Sequence, residues 1–233
     1  MNYVFNPHPV SSLPIAGTDA RFPVRRIFCV GRNYAEHARE MGAADQAEGR
    51  EPPFFFTKPA DALVAGDGEL AVKYPSLTQN LHHEIEMVVA LGAGGENVTA
   101  AEAQSLVFGY AVGLDLTRRD IQARAKEKSH PWDMSKGFDQ SAVAGVINPV
   151  SVCGHPAAGR IWLNVNSQLR QQGDLSDMMW KVPEIIANLS TLVRLEAGDL
   201  IYSGTPAGVG PLSRGDLLEA GVDGVGGLRA RIV

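Results

Sequence analysis

Cysteine is scarce in this sequence, which argues against a secreted protein held together by disulfides. The 233 residues contain two cysteines, Cys29 and Cys153, each in or beside an apolar stretch. A secreted protein that depends on disulfides normally has more, so we expect both thiols to be reduced. No apolar run approaches the roughly 20 residues of a membrane helix, and the first ten residues lack the pattern of a signal peptide. We therefore expect a cytoplasmic protein that contacts no membrane.

Positive charge is also in short supply. Lysine and arginine total 21 against 26 acidic residues, a formal net charge of −5. Nucleic-acid binders normally carry a basic excess, so the charge argues against a nucleic-acid partner. The 45% of apolar residues is enough for one substantial core. No linker divides the chain, so we expect an N-terminal arm over 1–24, irregular because it contains four prolines, and a single domain over 25–233.

Strand patterns outnumber helix patterns, and the helices do not alternate regularly with the strands. The expected strands cover 26–30, 54–57, 81–91, 110–117, 159–170, 199–203, 217–219 and 228–233. The expected helices cover 34–41, 99–107, 118–128 and 182–195, with a surface loop over 43–53. This distribution predicts a mixed α/β, β-rich fold with a rolled or barrel-like sheet and peripheral helices.

The sharpest local feature is a pair of carboxylates in an apolar strand pattern. Glu84 and Glu86 are two residues apart and therefore share one face of a strand. Asp115, flanked by leucines, offers a third carboxylate from a second apolar strand. Buried carboxylates are costly unless they are paired or bound to a metal. Oxygen ligands suit Mg²⁺, Mn²⁺ or Ca²⁺. Ion pairs with Arg118 or Arg119 at a sheet rim are the alternative interpretation.

Several motifs occur together in a fixed order and carry a resemblance to a known family. They are Gly31-Arg32-Asn33-Tyr34 with His37, Phe56-x-Lys58-Pro59, Asn80-Leu81-His82-His83-Glu84-x-Glu86, Leu114-Asp115-x-Thr117-x-Arg119-Asp120, Lys136, and Gly204-Thr205-Pro206-x-Gly208-Val209-Gly210. Over residues 25–233 the chain resembles the fumarylacetoacetate hydrolase family, and within it the small acylpyruvate and fumarylpyruvate hydrolases.

The resemblance implies a β-rich catalytic fold, a homodimer, and one divalent cation held by Glu84, Glu86 and Asp115. Mg²⁺ is the first expectation for that cation, with Mn²⁺ or Ca²⁺ as alternatives. Some family members add a fourth carboxylate near the position of Asn33, and this sequence offers none there. We therefore expect three protein carboxylates, with water and substrate completing the coordination.

The resemblance also suggests catalytic residues. Lys136 would stabilise negative charge on the pyruvate half of a small diketo-acid substrate. His37 and Glu40 stand three residues apart and share a helix face, so Glu40 could orient His37 as a base that takes a proton from water. Glu219 is the alternative partner for His37. The implied substrate-binding residues are Arg32, Tyr34, Arg119, Gln122, Gly204 and Thr205.

The expected function is a metal-dependent hydrolase that cleaves the carbon–carbon bond of an acylpyruvate in aromatic-compound degradation. Fumarylpyruvate, which would give fumarate and pyruvate, is the best substrate guess. Oxaloacetate decarboxylation, or isomerisation or decarboxylation of a dienol diacid, is the alternative on the same scaffold. A non-catalytic metal-binding or carboxylate-binding protein is a third interpretation. It gains weight only if His37 lies far from the carboxylates.

Overall fold

The computed structural model of the chain describes residues 2–42 and 51–233, and strands dominate it. The strands are β1 (Ser12–Pro14), β2 (Arg21–Pro23), β3 (Arg26–Val30), β4 (Phe55–Lys58), β5 (Leu63–Ala65), β6 (Glu69–Val72), β7 (Leu81–His83), β8 (Ile85–Leu91), β9 (Val107–Asp115), β10 (Thr117–Arg118), β11 (Ala142–Ala144), β12 (Asn148–Pro149), β13 (Arg160–Val165), β14 (Gln168–Asp174), β15 (Asp199–Tyr202), β16 (Gly210–Leu212), β17 (Leu217–Val222) and β18 (Gly226–Ile232).

The helices are short and lie outside the sheets. They are α1 (Ala35–Glu40), α2 (Ala100–Ala103), α3 (Arg119–Glu127), α4 (Asp133–Lys136), α5 (Val150–Cys153) and α6 (Val182–Leu192). Thr99 and Glu102 form the capping box that starts α2, and a proline occupies the first turn of α6. None of the described helices is long and apolar enough to cross a membrane.

The main sheet is curled and has β8 and β9 at its centre. Its strand order is β4-β3-β15-β8-β9-β11-β5, with β12 also paired to β9. Every residue of β8 is buried, because its two faces pack into different apolar clusters. Met87 and Val89 face the larger cluster, whereas Val88 and Ala90 face the second. The mixed α/β, β-rich class with a rolled sheet and peripheral helices is confirmed.

Two smaller sheets extend the main one. The order β14-β13-β17-β18-β6 gives a five-stranded sheet, and β10-β7-β16 gives a three-stranded sheet. The strand expected over 81–91 is therefore two strands in two different sheets, with Glu84 between them. β9 and β10 are interrupted in the same way at Leu116. The two interruptions are adjacent because the amide of Asp115 donates to the carbonyl of Glu84 at 2.9 Å.

Two other expectations need correction. The arm over 1–24 is not irregular throughout: β1 pairs antiparallel with β2, and Leu13 lies opposite Phe22. Both side chains are buried in the second apolar cluster, and burial of these two side chains favours the pairing. The strand expected over 159–170 is a hairpin, because Asn166 and Ser167 adopt positive φ angles of 50° and 65°.

The remaining expectations have mixed outcomes. Both cysteines are free thiols, as expected. The surface loop expected over 43–53 lies largely outside the described residues. The division of the chain into an arm and one catalytic domain stays a prediction.

Candidate metal and substrate site

The interruptions in the two central strands place three carboxylates side by side. Glu86 faces the same side of β8 as Val88 and pairs with Gly113, and Asp115 ends β9 two residues beyond Gly113. Glu84 follows β7 and lies opposite Asp115. One oxygen from each carboxylate lies within 4.8 Å of the other two. All three residues are buried, with exposed fractions of 4% or less. Such an oxygen cluster has the donor chemistry of a hard-cation site.

Two of the three carboxylates are paired with buried cations. Lys136 Nζ lies 2.8 Å from Glu84 Oε2 and 2.6 Å from Asp115 Oδ2. Arg119 donates to Glu84 Oε1, and Lys58 Nζ lies 2.7 Å from Asp115 Oδ1. The Lys58–Asp115 contact is an ion pair whose angles do not meet those of a hydrogen bond, so Asp115 Oδ1 accepts no hydrogen bond. The alternative interpretation, ion pairs with Arg118 or Arg119 at a sheet rim, is met in part: Arg119 pairs with Glu84, but this pair is largely buried, with side-chain exposures of 12% and 5%.

The pKa values of Glu84 and Lys136 follow from these contacts. Burial raises the pKa of Glu84, but the charges of Lys136 and Arg119 outweigh burial and hold it well below its ordinary value. Burial likewise lowers the pKa of Lys136, and here Asp115 and Glu84 outweigh burial, so the net shift is upward. Glu84 is therefore anionic and Lys136 cationic at neutral pH.

Glu86 differs from the other two carboxylates. Among the described residues, no lysine, arginine or histidine nitrogen lies within 4.0 Å of it, and its one hydrogen bond comes from the amide of Gly204 to Oε2 at 2.7 Å. Burial, with the charges of Asp115 and Glu84, raises its pKa well above the ordinary value. A buried carboxylate with two acidic neighbours and no paired cation is the feature that a bound cation would compensate.

The loop that carries Gly204 is held by Asn33. The Asn33 amide donates to the carbonyls of Ser203 and Trp180 at 2.8 and 2.9 Å. Gly204 adopts a φ of +100°, and a Cβ there would lie 2.6 Å from Asn33 Cβ. Only glycine therefore lets the chain present this amide to Glu86. The Gly204 amide donates to Glu86, and its expected role in substrate binding stays a prediction.

The expected His–Glu pair is present on α1. His37 Nδ1 lies 3.3 Å from Glu40 Oε2, and the amide of Gly208 also donates to Glu40 at 3.2 Å. Burial raises the pKa of Glu40, but its hydrogen bonds with His37 and Gly208 outweigh burial and lower it. We therefore assign the imidazole proton to Nδ1, which leaves the Nε2 lone pair available. Glu219, the alternative partner, lies 3.7 Å from Arg229 instead.

One pocket collects most of the residues that the sequence suggested. The space between its walls, counted together with the solvent at its open mouth, is about 360 Å³. The predicted residues that line it are Glu84, Glu86, Asp115, His37, Lys136, Arg32, Arg119, Gln122 and Thr205. Tyr34 and Gly204 are not part of its wall; Tyr34 is buried and lines a separate surface pocket beside Asp177. Gln122 accepts a hydrogen bond from Arg119 at 2.7 Å, so it supports that guanidinium.

Sequence reasoning missed three residues near this pocket. Lys58 belongs to a recognised motif, but only the fold shows that it reaches Asp115 and donates to the carbonyls of Leu116 and Lys136. Lys126 lines the pocket from α3. Gln171 comes from a strand with mostly polar, exposed residues, and its sequence neighbours give no sign that it is buried.

Gln171 ties the carboxylate strand to the 204–210 loop. Its Oε1 lies 2.8 Å from His83 Nδ1 and accepts from the amide of Ile85 at 3.1 Å. Its Nε2 donates to Thr205 Oγ1 and to the carbonyl of Pro206, both at 2.8 Å. The side chain thus fixes the residues on both sides of Glu84 relative to the loop that contacts Glu86.

Replacement of Gln171 by methionine should destabilise the protein by about 3 kcal/mol. Methionine fills a similar volume but leaves a buried amide and a buried histidine without their partner. The free energy of unfolding, measured by denaturant titration in chelator, tests this. Gln172→Met is the matched control, since Gln172 is exposed and should change stability by about 0.5 kcal/mol or less. Equal stability of the two variants would contradict the role of Gln171.

Three known proteins illustrate what the chain is similar to. A fumarylpyruvate hydrolase from Pseudomonas aeruginosa, solved in complex with Mn²⁺ and pyruvate, is 48% identical with a TM-score of 0.95, covering 100% of this chain and 99% of that one. A Burkholderia cenocepacia structure, provisionally named a fumarylpyruvate hydrolase, is 54% identical with a TM-score of 0.91, covering 100% and 98%. The mitochondrial oxaloacetate tautomerase FAHD1 of Mus musculus is 43% identical over 208 residues, 89% of this chain and 91% of the relative.

These similarities extend over nearly the whole length of each chain, so they concern the entire fold rather than one motif. The family profile described as fumarylacetoacetate (FAA) hydrolase C-terminal matches residues 26–233, and the chain belongs to that family of enzymes.

Proposed function

We propose that this protein is a divalent-metal-dependent hydrolase that cleaves the carbon–carbon bond of an acylpyruvate, with fumarylpyruvate as the best candidate substrate. The observation that carries the proposal is the position of His37, which lines the same pocket as Glu84, Glu86 and Asp115. A base beside an oxygen-only cation site supplies the two functions that such a hydrolysis needs.

A divalent cation fits the charges of the pocket. Glu84, Glu86 and Asp115 would hold it. A carboxylate has about four lone-pair directions, so Glu84 and Asp115 can bind a metal ion while they also accept hydrogen bonds from Lys136. The three acids are balanced by Lys58, Lys136 and Arg119. A cation of charge +2 therefore makes the site electropositive, which suits an anionic keto acid. When bound, the cation supplies Lewis-acid polarisation of the keto-acid oxygens.

The protein side chains account for the remaining steps. His37 takes a proton from water through Nε2, and the water oxygen attacks the acyl carbonyl carbon. Glu40 keeps the imidazole oriented and stabilises its protonated form. The bond between the acyl carbon and the methylene group then breaks, and its electron pair goes to the pyruvate half. Lys136 stabilises the negative charge there, and the proton returns to the methylene carbon. The products are a carboxylate and pyruvate.

The relatives support the proposal in part. The Pseudomonas structure contains Mn²⁺ and pyruvate, the type of metal and one product expected of this reaction. Either Mg²⁺ or Mn²⁺ suits three carboxylates, and we propose Mg²⁺ as the native ion. The homodimer, the cytoplasmic location and the role in aromatic-compound degradation stay predictions.

Oxaloacetate tautomerisation or decarboxylation is the second candidate. The 43% identity to the mouse oxaloacetate tautomerase favours it. Neither reaction consumes water, so the His37–Glu40 pair would then act on a substrate proton rather than on water. The cation and Lys136 would serve the same enolate chemistry in both candidates.

A spectrophotometric assay should separate the two candidates. We expect the protein with Mg²⁺ to remove the diketo absorbance of fumarylpyruvate and release fumarate and pyruvate in equal amounts, with slower loss of acetylpyruvate. Excess chelator should abolish turnover, and added Mn²⁺ should restore it. Turnover of oxaloacetate alone would favour the second candidate. Undiminished hydrolysis in chelator would contradict the metal dependence.

A further inference from the structure

A lysine without an assigned role lines the pocket at some distance from the carboxylates. Lys126 lies on α3, seven residues after Arg119 and four after Gln122, so the three side chains share one helix face. All three line the same pocket. Two helical turns separate Arg119 from Lys126, a rise of about 10 Å. Arg119 contacts Glu84, so Lys126 marks the pocket end away from the cation site.

Lys126 differs from the other pocket lysine in its partners. Lys136 is held by Glu84 and Asp115, whereas no carboxylate of the described residues lies within 4.0 Å of Lys126. Its ammonium instead lies 5.4 Å from the ring centroid of Trp132. The Arg32 guanidinium lies 6.0 Å from the same ring. The far end of the pocket thus has two cations around one aromatic ring.

The electrostatics of this end favour an incoming anion. Burial, together with the charges of Arg32 and Arg119, lowers the pKa of Lys126 to about 8. The ammonium is half-buried and repelled by its cationic neighbours. A ligand carboxylate beside it would relieve that repulsion and form a charge-assisted hydrogen bond.

The expected substrate has a carboxylate at the required end. In an extended seven-carbon diketo diacid, five bonds at about 1.2 Å each place the distal carboxyl carbon about 6 Å beyond the α-keto carbon. The Lys126 ammonium lies beside the Trp132 ring in the wall of the same pocket, so a carboxylate that extends from the cation site along the pocket approaches it.

We propose that Lys126 binds the distal carboxylate of the substrate and selects acylpyruvates that end in a carboxylate over those that end in a neutral group. This inference rests on the proposed function, because it assumes that the keto-acid end lies at the cation site.

Binding of two unreactive ligands tests the inference directly. 2-Oxoheptanedioate and 2-oxoheptanoate share the keto-acid end and chain length, differ only in the distal carboxylate, and lack the second ketone that hydrolysis requires. Calorimetry with the Mg²⁺-loaded protein should give at least about tenfold tighter binding of the diacid. Lys126→Met should remove that preference without changing the affinity for the monoacid, and Lys126→Arg should retain part of it.

Lys128→Met is the matched control, because Lys128 is exposed just beyond the same helix; it should keep the full preference. Equal affinity of the parent protein for both ligands would overturn the inference. A Lys126→Met variant that weakens both ligands equally, or neither, would overturn it as well. Failure of the proposed function gives a different result: the parent prefers the diacid but hydrolyses no acylpyruvate.

Discussion

A Glu86→Gln variant is expected to lose cation binding and to lower kcat/KM by about a thousandfold, while its fold in chelator stays intact. Lewis-acid stabilisation by a bound cation contributes several kcal/mol to the rate, and about 4 kcal/mol corresponds to that factor. The fold should survive because Glu86 has a raised pKa and, within residues 2–42 and 51–233, no paired cation. Glutamine copies the protonated carboxyl and keeps an oxygen for the Gly204 amide. Calorimetric titration with Mn²⁺, together with the assay above, measures both effects.

Glu84→Gln is the contrasting control for this prediction. It removes a negative charge that Lys136 and Arg119 contact, so a buried lysine and a partly buried arginine lose a partner. Breaking a buried pair typically costs about 3–5 kcal/mol, and this variant should be unstable in chelator. A Glu86→Gln variant that binds Mn²⁺ like the parent would contradict the assignment of Glu86 as a ligand.

The same reasoning gives a dependence of stability on pH. The folded pKa of Glu86 lies above its ordinary value of 4.5, so the stabilisation from its proton is complete below about pH 4.5 and is lost as the pH rises through the folded pKa. In chelator, the parent should lose stability relative to Glu86→Gln as the pH rises above 4.5 towards alkaline values. Parallel stability curves for the two proteins would contradict the raised pKa.

A His37→Asn variant is expected to lower kcat by about 10²–10⁴-fold, the usual contribution of a general base. Asparagine keeps a polar side chain of moderate size but has no basic nitrogen to take the proton from water. Its affinity for Mn²⁺ should match that of the parent, because His37 contacts Glu40 rather than the three carboxylates. Steady-state kinetics and Mn²⁺ titration separate these two effects.

Glu40→Gln provides the graded comparison. Glutamine retains an oxygen for the His37 ring and for the Gly208 amide, but it no longer stabilises the protonated imidazole by charge. Its loss of kcat should therefore be smaller than that of His37→Asn. Parent-like turnover by His37→Asn would exclude His37 as the base.

The cation site could be anticipated from sequence because its signal is local. Two acids at alternate positions of an apolar strand, and an aspartate between leucines, already require compensation for burial. The His37–Glu40 pair was visible for the same reason, since helical spacing alone brings the two side chains together. The structure places these five residues at one pocket or in direct contact with it.

The supporting residues could not be anticipated because their roles depend on contacts between distant segments. Gln171 lies 86 residues from Ile85, whose amide it binds. Lys58 lies 58 residues from the Leu116 carbonyl. The change of sheet at Glu84 was hidden because Leu81 to Leu91 looks like one continuous strand. The change of sheet becomes visible only in the structure, where the neighbouring chain is interrupted at Leu116 beside Glu84.

The most direct test of the account is the location of Mn²⁺ in crystals of this protein, found by anomalous diffraction. We predict one strong peak within about 2.0–2.6 Å of an oxygen from each of Glu84, Glu86 and Asp115, the range for hard divalent ions. A peak bound by other residues, or no peak between these three carboxylates at saturating Mn²⁺, would contradict it.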